Sequence, residues 1–273
     1  KKLIKKILLD EDSKKLDQLK FEEIKELVTY YQVSNIDENI NLRKIKFNIS
    51  YDKNKIHDLF YKKNISYSEI INRELFILPI LKKKDQIFIY NQNFFYDNWN
   101  KVNKTELIEF ILPIENIEVI QNINLNKNNL INLKLENLFA EYSGKNLALV
   151  LVEDKNSREE KIYFKTEIQG KKIIKNINTK RLNLTEEEFY KKIITEVKQE
   201  IITLVKSENL IDIRTPSFLN AQLNINKNNN LVKLNSRLQN IDSVKNVYIQ
   251  EFNNKSVFLK IKYLGKIDKI IKK

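Results

Sequence analysis

The chain predicts an α/β to α+β protein of several modules, with a mixed central sheet covered by helices. Three stretches predict it. Leu75-Phe76-Ile77-Leu78-Pro79-Ile80-Leu81 is an apolar run of strand length without alternation, and residues 147–152 form another. A strand with no polar face buries both of its faces, as in the middle of an α/β sheet. Between the two runs, Leu130, Leu133, Leu135, Leu138 and Phe139 stand at helical spacing. Buried strand, helix, buried strand is the order of a parallel crossover. The third stretch is a helix opened by a capping box, Thr185-Glu186-Glu187-Glu188, with its stripe at Phe189, Ile193, Val197, Ile201, Leu204 and Val205.

In chain order, residues 2–9 predict a helix that ends at the acidic turn Asp10-Glu11-Asp12. A second helix follows, with Phe21, Ile24, Leu27, Val28 and Tyr31 at three- and four-residue spacing. Residues 42–50 alternate and predict a half-exposed strand, and residues 53–62 a short helix carrying Ile56, Leu59 and Phe60. After the first buried strand come the charged turn 82–85, a second apolar run at 87–90, and an aromatic stretch, Phe94, Phe95, Tyr96 and Trp99, expected as a loop. Proline removes a ladder donor, so Pro79 and Pro113 are expected at the ends of strands, the second strand covering 109–114. Residues 161–168 and 171–176 predict an antiparallel hairpin turning at Gly170. The end of the chain reads β-α-β-β-α: strand 221–225, helix 231–238, strands 247–251 and 256–263, and a terminal helix after Gly265. Three modules result, at 1–70, 71–208 and 209–273.

The composition of 42% apolar and 10% aromatic residues can fill a core across 273 residues. No segment approaches the roughly 20 uninterrupted apolar residues of a membrane helix. The chain begins at Lys1 with helical spacing already under way, so a trimmed or processed start is expected, and any export signal would lie upstream of these residues. Cysteine is absent, which excludes disulfides and thiolate chemistry. The net charge of +13 raises nucleic acid or an anionic membrane surface as a partner, but the excess is lysine, with only six arginines. Lys, Asn and Ile together point to an AT-rich coding bias, and base and phosphate readout favours Arg. The charge is concentrated at residues 228–273, which hold ten Lys/Arg against three Asp/Glu, a net +7. Lys260, Lys262, Lys266, Lys269, Lys272 and Lys273 are the candidate basic surface.

Chemistry-bearing groups are few. A single histidine, His57, lies beside an apolar helical stripe, which leaves no nucleophilic triad and no histidine metal site to assemble. Gly144, Gly170 and Gly265 are too scattered to write a phosphate or dinucleotide loop. The acidic clusters 10–12 and 186–188 sit where helix capping explains them. No catalytic residue, cofactor or metal is expected. Phe94, Phe95, Tyr96 and Trp99 read two ways: as a lid over the end of the sheet, or as an aromatic recognition surface beside a strand's C-terminal end.

Several of these stretches also carry a likeness. The helical start at 2–9, residues 27–31, the strand at 42–50, Glu74 to Ile80, Asn98-Trp99 and Glu109 to Glu115 together resemble the domain-of-unknown-function 2066 family. Ile241, Val244, Val247 and Tyr263-Leu264-Gly265 fit its terminal module. These are bacterial envelope proteins, found in alphaproteobacteria among other groups, without an assigned activity. The chain departs from typical members in its Lys/Asn-rich surface and in lacking the start of the N-terminal module. More loosely, the central part is similar to small α/β modules of outer-membrane assembly and flagellar accessory proteins, which bind other proteins through loops and sheet edges. The resemblance implies an exported, periplasmic, non-enzymatic protein, with the cytoplasm as the alternative location, and the looser likeness implies a protein partner. The residues themselves, read above, supply Phe94, Phe95, Tyr96 and Trp99 as the candidate contact. The alternative is a basic module for nucleic acid or an anionic membrane surface.

Overall fold

The two ends of the chain, expected as separate modules, fall in one unit. One compact unit comprises Lys1–Glu69 with Asn209–Lys273, and the other comprises Ile70–Glu208. The computed structural model describes residues 2–35, 45–70, 73–104, 107–224, 231–241, 243–265 and 267. Its content is mixed α/β.

The first unit opens with three short helices, α1 (Lys2–Lys5), α2 (Asp10–Asp17) and α3 (Phe21–Lys25). The acidic triplet Asp10-Glu11-Asp12 is the first turn of α2, not the turn before a helix. Carboxylates are stabilised there by the positive end of the helix dipole. The helix expected to run through Tyr31 stops at Lys25. The chain then becomes strand β1 (Val28–Asn35), paired antiparallel with β2 (Ile45–Tyr51). Val, Thr and Tyr in succession fit a pleated ribbon better than a helix, where branched and aromatic side chains lose rotamer freedom. Helix α4 (Lys53–Lys62) is capped by Asp52, whose carboxylate accepts from the backbone N–H of Asn54 and Lys55. It is followed by a two-residue strand, β3 (Tyr67–Ser68).

The second unit is a sheet with helices on both faces. Its central strands are β4 (Glu74–Lys83) and, later, β7 (Asn146–Asp154), which pair in parallel. Residues 75, 77 and 81 of β4 and 148, 150 and 152 of β7 face one core, and 76, 78, 80, 147, 149 and 151 face the other. That is how an unalternating run buries two faces. On the outer edge of β4, the hairpin strand β5 (Gln86–Phe88) pairs with Leu81–Lys83, and β6 (Glu109–Ile111) pairs in parallel with Glu74–Phe76. Helix α5 (Phe94–Asn98) lies between β5 and β6 in sequence. The helical crossover to β7 is α6 (Ile117–Leu125). The interval 130–139, expected to be that helix, holds two short turns, one of them α7 (Leu135–Leu138). Leu133 and Lys134 are extended, at ψ 134° and 131°, and divide the interval into these two turns.

Pro79 lies within β4, not at its end. Its carbonyl accepts from the Asn93 side chain, on the edge that neither β5 nor β6 covers. A strand residue points its N and its C=O to the same side. The missing N–H therefore faces a gap in the ladder and costs no bond.

Strands β8 (Glu159–Ile168) and β9 (Lys171–Lys180) complete the sheet as an antiparallel hairpin beside β7. Gln169 and Gly170, at φ 53° and 78°, make the two-residue turn that matches strand twist. Helix α8 (Glu186–Glu208) buries its predicted stripe against the α5 side of the sheet. Its capping box is formed: Thr185 N–H donates to the Glu188 carboxylate at 2.9 Å, and Glu188 N–H donates to the Thr185 hydroxyl at 3.3 Å.

The chain then returns to the first unit. β10 (Leu210–Ile211) pairs with β3, and Ile211, Ile213 and Leu264 share a core with Leu8, Leu16, Phe60 and Ile65. Strand β11 (Ser217–Asn224), helix α9 (Leu231–Gln239) and strands β12 (Val244–Phe252) and β13 (Ser256–Tyr263) follow, with β13 central in the order β11-β13-β12. The strand expected at 221–225 begins four residues earlier. The terminal helix expected after Gly265 lies outside the described residues.

Candidate functional surfaces

The aromatic stretch is largely core. Asn93 caps α5: its Oδ1 accepts from Phe95 N–H at 3.1 Å, and its amide donates to the carbonyls of Pro79 and Ile89 at 2.8 and 2.7 Å. That anchor turns Phe95 and Trp99 inward, both 0% exposed, against Tyr190 and Phe110. Phe94 is half-buried and packs on Tyr190. Tyr96 is half-buried, and its hydroxyl donates to the Pro113 carbonyl at 2.7 Å. The expectation of a four-residue recognition surface is corrected accordingly: Phe95 and Trp99 offer nothing to a partner, because a helix in place of the loop puts them on its sheet-facing side.

Behind Trp99 lies Lys198 of α8, 3% exposed. Its ammonium donates to the carbonyls of Trp99 and Val102 at 2.6 Å, and it faces the rings of Trp99 and Phe110. Burial pushes its pKa down to about 8. With carbonyls for partners at the C-terminal end of α5, it acts as a cationic helix cap.

A second buried set sits at the C-terminal end of β7, where open α/β sheets bind ligands. Asp154 Oδ1 accepts from Arg181 at 2.6 Å and from Asn156 N–H at 2.8 Å, and Oδ2 accepts from the Tyr190 hydroxyl at 2.5 Å. Burial, followed by the bond to Asp154, raises the Tyr190 pKa far above that of an ordinary phenol. Both oxygens of Asp154 are thus engaged in holding the β7–β8 turn to α8. An adjoining cleft of about 720 Å³ is lined by Lys82, Lys83, Glu153 and Glu186. Lys82 pairs with Glu153 at 3.5 Å and Lys83 with Glu186 at 2.7 Å, which neutralises these two cations for an incoming anion.

In the first unit, His57 stacks on Tyr67 with ring centroids 4.7 Å apart. Asp12 is buried and paired with Lys15 at 2.6 Å. Among the described residues no cluster of three or more His, Cys, Asp or Glu is arranged to hold a metal ion, and no helix is long and apolar enough to cross a membrane.

Large apolar side chains are exposed on helices, Phe21, Ile117 and Leu125 among them, and on strands. In the β1–β2 ribbon Tyr31 stands opposite Ile49 and Val33 opposite Phe47. Side chains two apart share a face, so the four form one apolar face, each between 47% and 66% exposed. The helical reading of residues 21–31 hid it; the alternation of Tyr31 with Val33 and of Phe47 with Ile49 was the signal. The β11-β13-β12 sheet packs one face on α9. On the other, Lys262 stands opposite Phe218 and Lys260 between Asn220 and Tyr248. Lys260 Nζ lies 4.7 Å from the Phe218 ring centroid. Lys260 and Lys262 are therefore together on an open sheet face. Lys266, Lys269, Lys272 and Lys273 lie outside the described residues.

No protein-family model matches the chain, and no curated protein matches it. A solved structure of an uncharacterised protein is similar over 51% of this chain and 94% of its own length. At 13% identity and a TM-score of 0.23 that likeness carries no argument.

Proposed function

We propose that this chain is a non-catalytic protein-binding module of the bacterial envelope, as its resemblance to the domain-of-unknown-function 2066 family implies. The observation that supports it is the open apolar face of the β1–β2 ribbon. A two-stranded ribbon is marginal in water by itself, and a contiguous exposed patch of large apolar side chains marks an interaction surface. In the second unit Asn93, Lys198, Asp154 and Tyr190, by contrast, are engaged in capping or pinning the fold.

The test is capture of partners by the full-length chain in its native cells, crosslinked and nuclease-treated, at two salt concentrations, beside a Val33→Ser/Phe47→Ser variant. A discrete protein held by the parent at both salts and released by the variant is the expected result. Equal capture by both chains overturns the reading, since the substituted side chains are solvent-facing and leave the folded cores intact.

A second reading is favoured by the open face of the β11-β13-β12 sheet, where Phe218, Tyr248 and Phe258 alternate with Lys260 and Lys262. Aromatics and cations on one sheet face suit single-stranded nucleic acid. Such binding weakens steeply between low and moderate salt, whereas an apolar protein interface survives.

A further inference from the structure

A three-stranded sheet has two edges, and this one treats them differently. β12 slips register twice, between Val244 and Asn246 and between Ile249 and Glu251, and it carries Lys245 and Glu251. Bulges and charges are the devices that keep a sheet edge from pairing further. β11 has neither. Its register with β13 is unbroken from Ser217 opposite Tyr263 to Asn224 opposite Ser256. Its eight residues include no charge, no Pro and no Gly. Among the described residues the backbone of 217–223 bonds only to β13, so every second residue turns its N–H and C=O outward.

The side chains along this edge are sorted as well. Leu219 and Ala221 are half-buried against the α9 core, while Phe218, Asn220 and Gln222 are exposed on the opposite face. A strand laid along β11 would continue the apolar row on the α9 side with its own apolar residues. On the open face its side chains would stand next to Phe218 and Asn220, whose β13 partners are Lys262 and Lys260. The described residues within 231–265 hold six Lys/Arg against one Asp/Glu.

From these features we infer that β11 is a docking edge that takes an extended segment of a partner protein as a fourth strand. Alternate residues of that segment are apolar, toward α9, and acidic, toward the lysines. This inference rests on the protein-binding reading and specifies its mode, with main-chain bonds for affinity and side-chain alternation for selection.

The experiment uses the full chain, isotopically labelled, and three probes: a ten-residue peptide alternating Val and Glu, one alternating Val and Lys, and a ten-nucleotide single-stranded oligonucleotide. Amide hydrogen exchange is followed by NMR. The expected result is saturable binding of the Val/Glu peptide, at least tenfold slower exchange at alternate amides within 217–223, and at least tenfold weaker binding of the Val/Lys peptide. Asn220→Glu with Gln222→Glu, both solvent-facing, should weaken the Val/Glu peptide by a similar factor without changing the circular dichroism spectrum. The inference is overturned if the peptide binds without slowing β11, or if neither peptide binds. It is equally overturned if only the oligonucleotide binds, or if β11 becomes protected with protein concentration alone, which would assign the edge to a second copy. Failure of the peptide with the Val33/Phe47-dependent capture intact overturns strand addition only; loss of both overturns the protein-binding reading too.

Discussion

Asn93→Ala should be among the most damaging single substitutions in the second unit, although a lone surface-style asparagine in a loop gives no warning of it. The side chain is 0% exposed. Its two amide hydrogens serve the Pro79 and Ile89 carbonyls, with Phe88 O also within 3.1 Å, and its oxygen caps α5 through Phe95 N–H. Alanine removes three good hydrogen bonds and leaves their backbone partners buried. A net bond contributes about 1 kcal/mol, and a stranded buried polar group costs about 1–3 kcal/mol, so the loss should be about 3–5 kcal/mol. The assay is urea unfolding followed by fluorescence. Trp99 is the only tryptophan and lies in this unit, so the signal reports on it alone. The midpoint should fall with an unchanged slope. Asn93→Asp sharpens the test. Its carboxylate keeps the cap acceptor but faces carbonyl oxygens, and burial raises its pKa above the unfolded value. The folded state then binds the extra proton, so stability should fall as pH rises from about 4. At pH 7.5 the aspartate variant should be no more stable than the alanine variant, and at pH 4.5 it should recover. A cost below about 1 kcal/mol for Asn93→Ala would mean that water reaches the β4 edge, and it would refute the account of how Pro79 is tolerated.

Other outcomes follow from the same contacts. Phe95→Ala or Trp99→Ala, read by circular dichroism, should each cost about 3–5 kcal/mol as cavities in a packed core; partner binding lost with stability unchanged would return them to the surface. Lys198 has its pKa lowered to about 8, so the unfolded chain binds the extra proton between that value and the ordinary ~10.4. The second unit should therefore gain stability as pH rises from about 8 toward 10, by at most about 3 kcal/mol, and Lys198→Met should flatten the rise. Above about pH 10 the trend should reverse, because burial holds Tyr90 up at about 12 and Tyr190 higher still, so the unfolded chain sheds those protons first. Thr185→Ala should cost about 1 kcal/mol in the same urea assay through the capping box of α8; no midpoint shift would mean that Glu188 alone serves the helix start.

The second unit was the legible part of the sequence, because its signals are local and strong. Residues 75–81 and 147–152 carry enough apolar side chains to bury two faces whatever surrounds them. Their parallel pairing needs a long crossover, usually helical, although that helix is 117–125 and not the expected 130–139. Thr185 with Glu188, and the turn at Gly170, fix a helix start and a hairpin through bonds within a few residues. Where local signals were weak or divided, tertiary context decided. Residues 28–35 hold apolar side chains compatible with either period, and pairing with β2 settled them as strand. Pro79 reads as a strand end until Asn93, fourteen residues later, is seen to occupy the gap beside it. Phe95 and Trp99 have the composition of a contact surface, and only the direction of α5 made them core. The joining of 1–69 with 209–273 depends on β3 meeting β10 and on Leu8, Phe60, Ile211 and Leu264 sharing one core. Composition and periodicity determine which faces are buried; which distant segment does the burying is a property of the chain's path in space, and it leaves no periodicity behind.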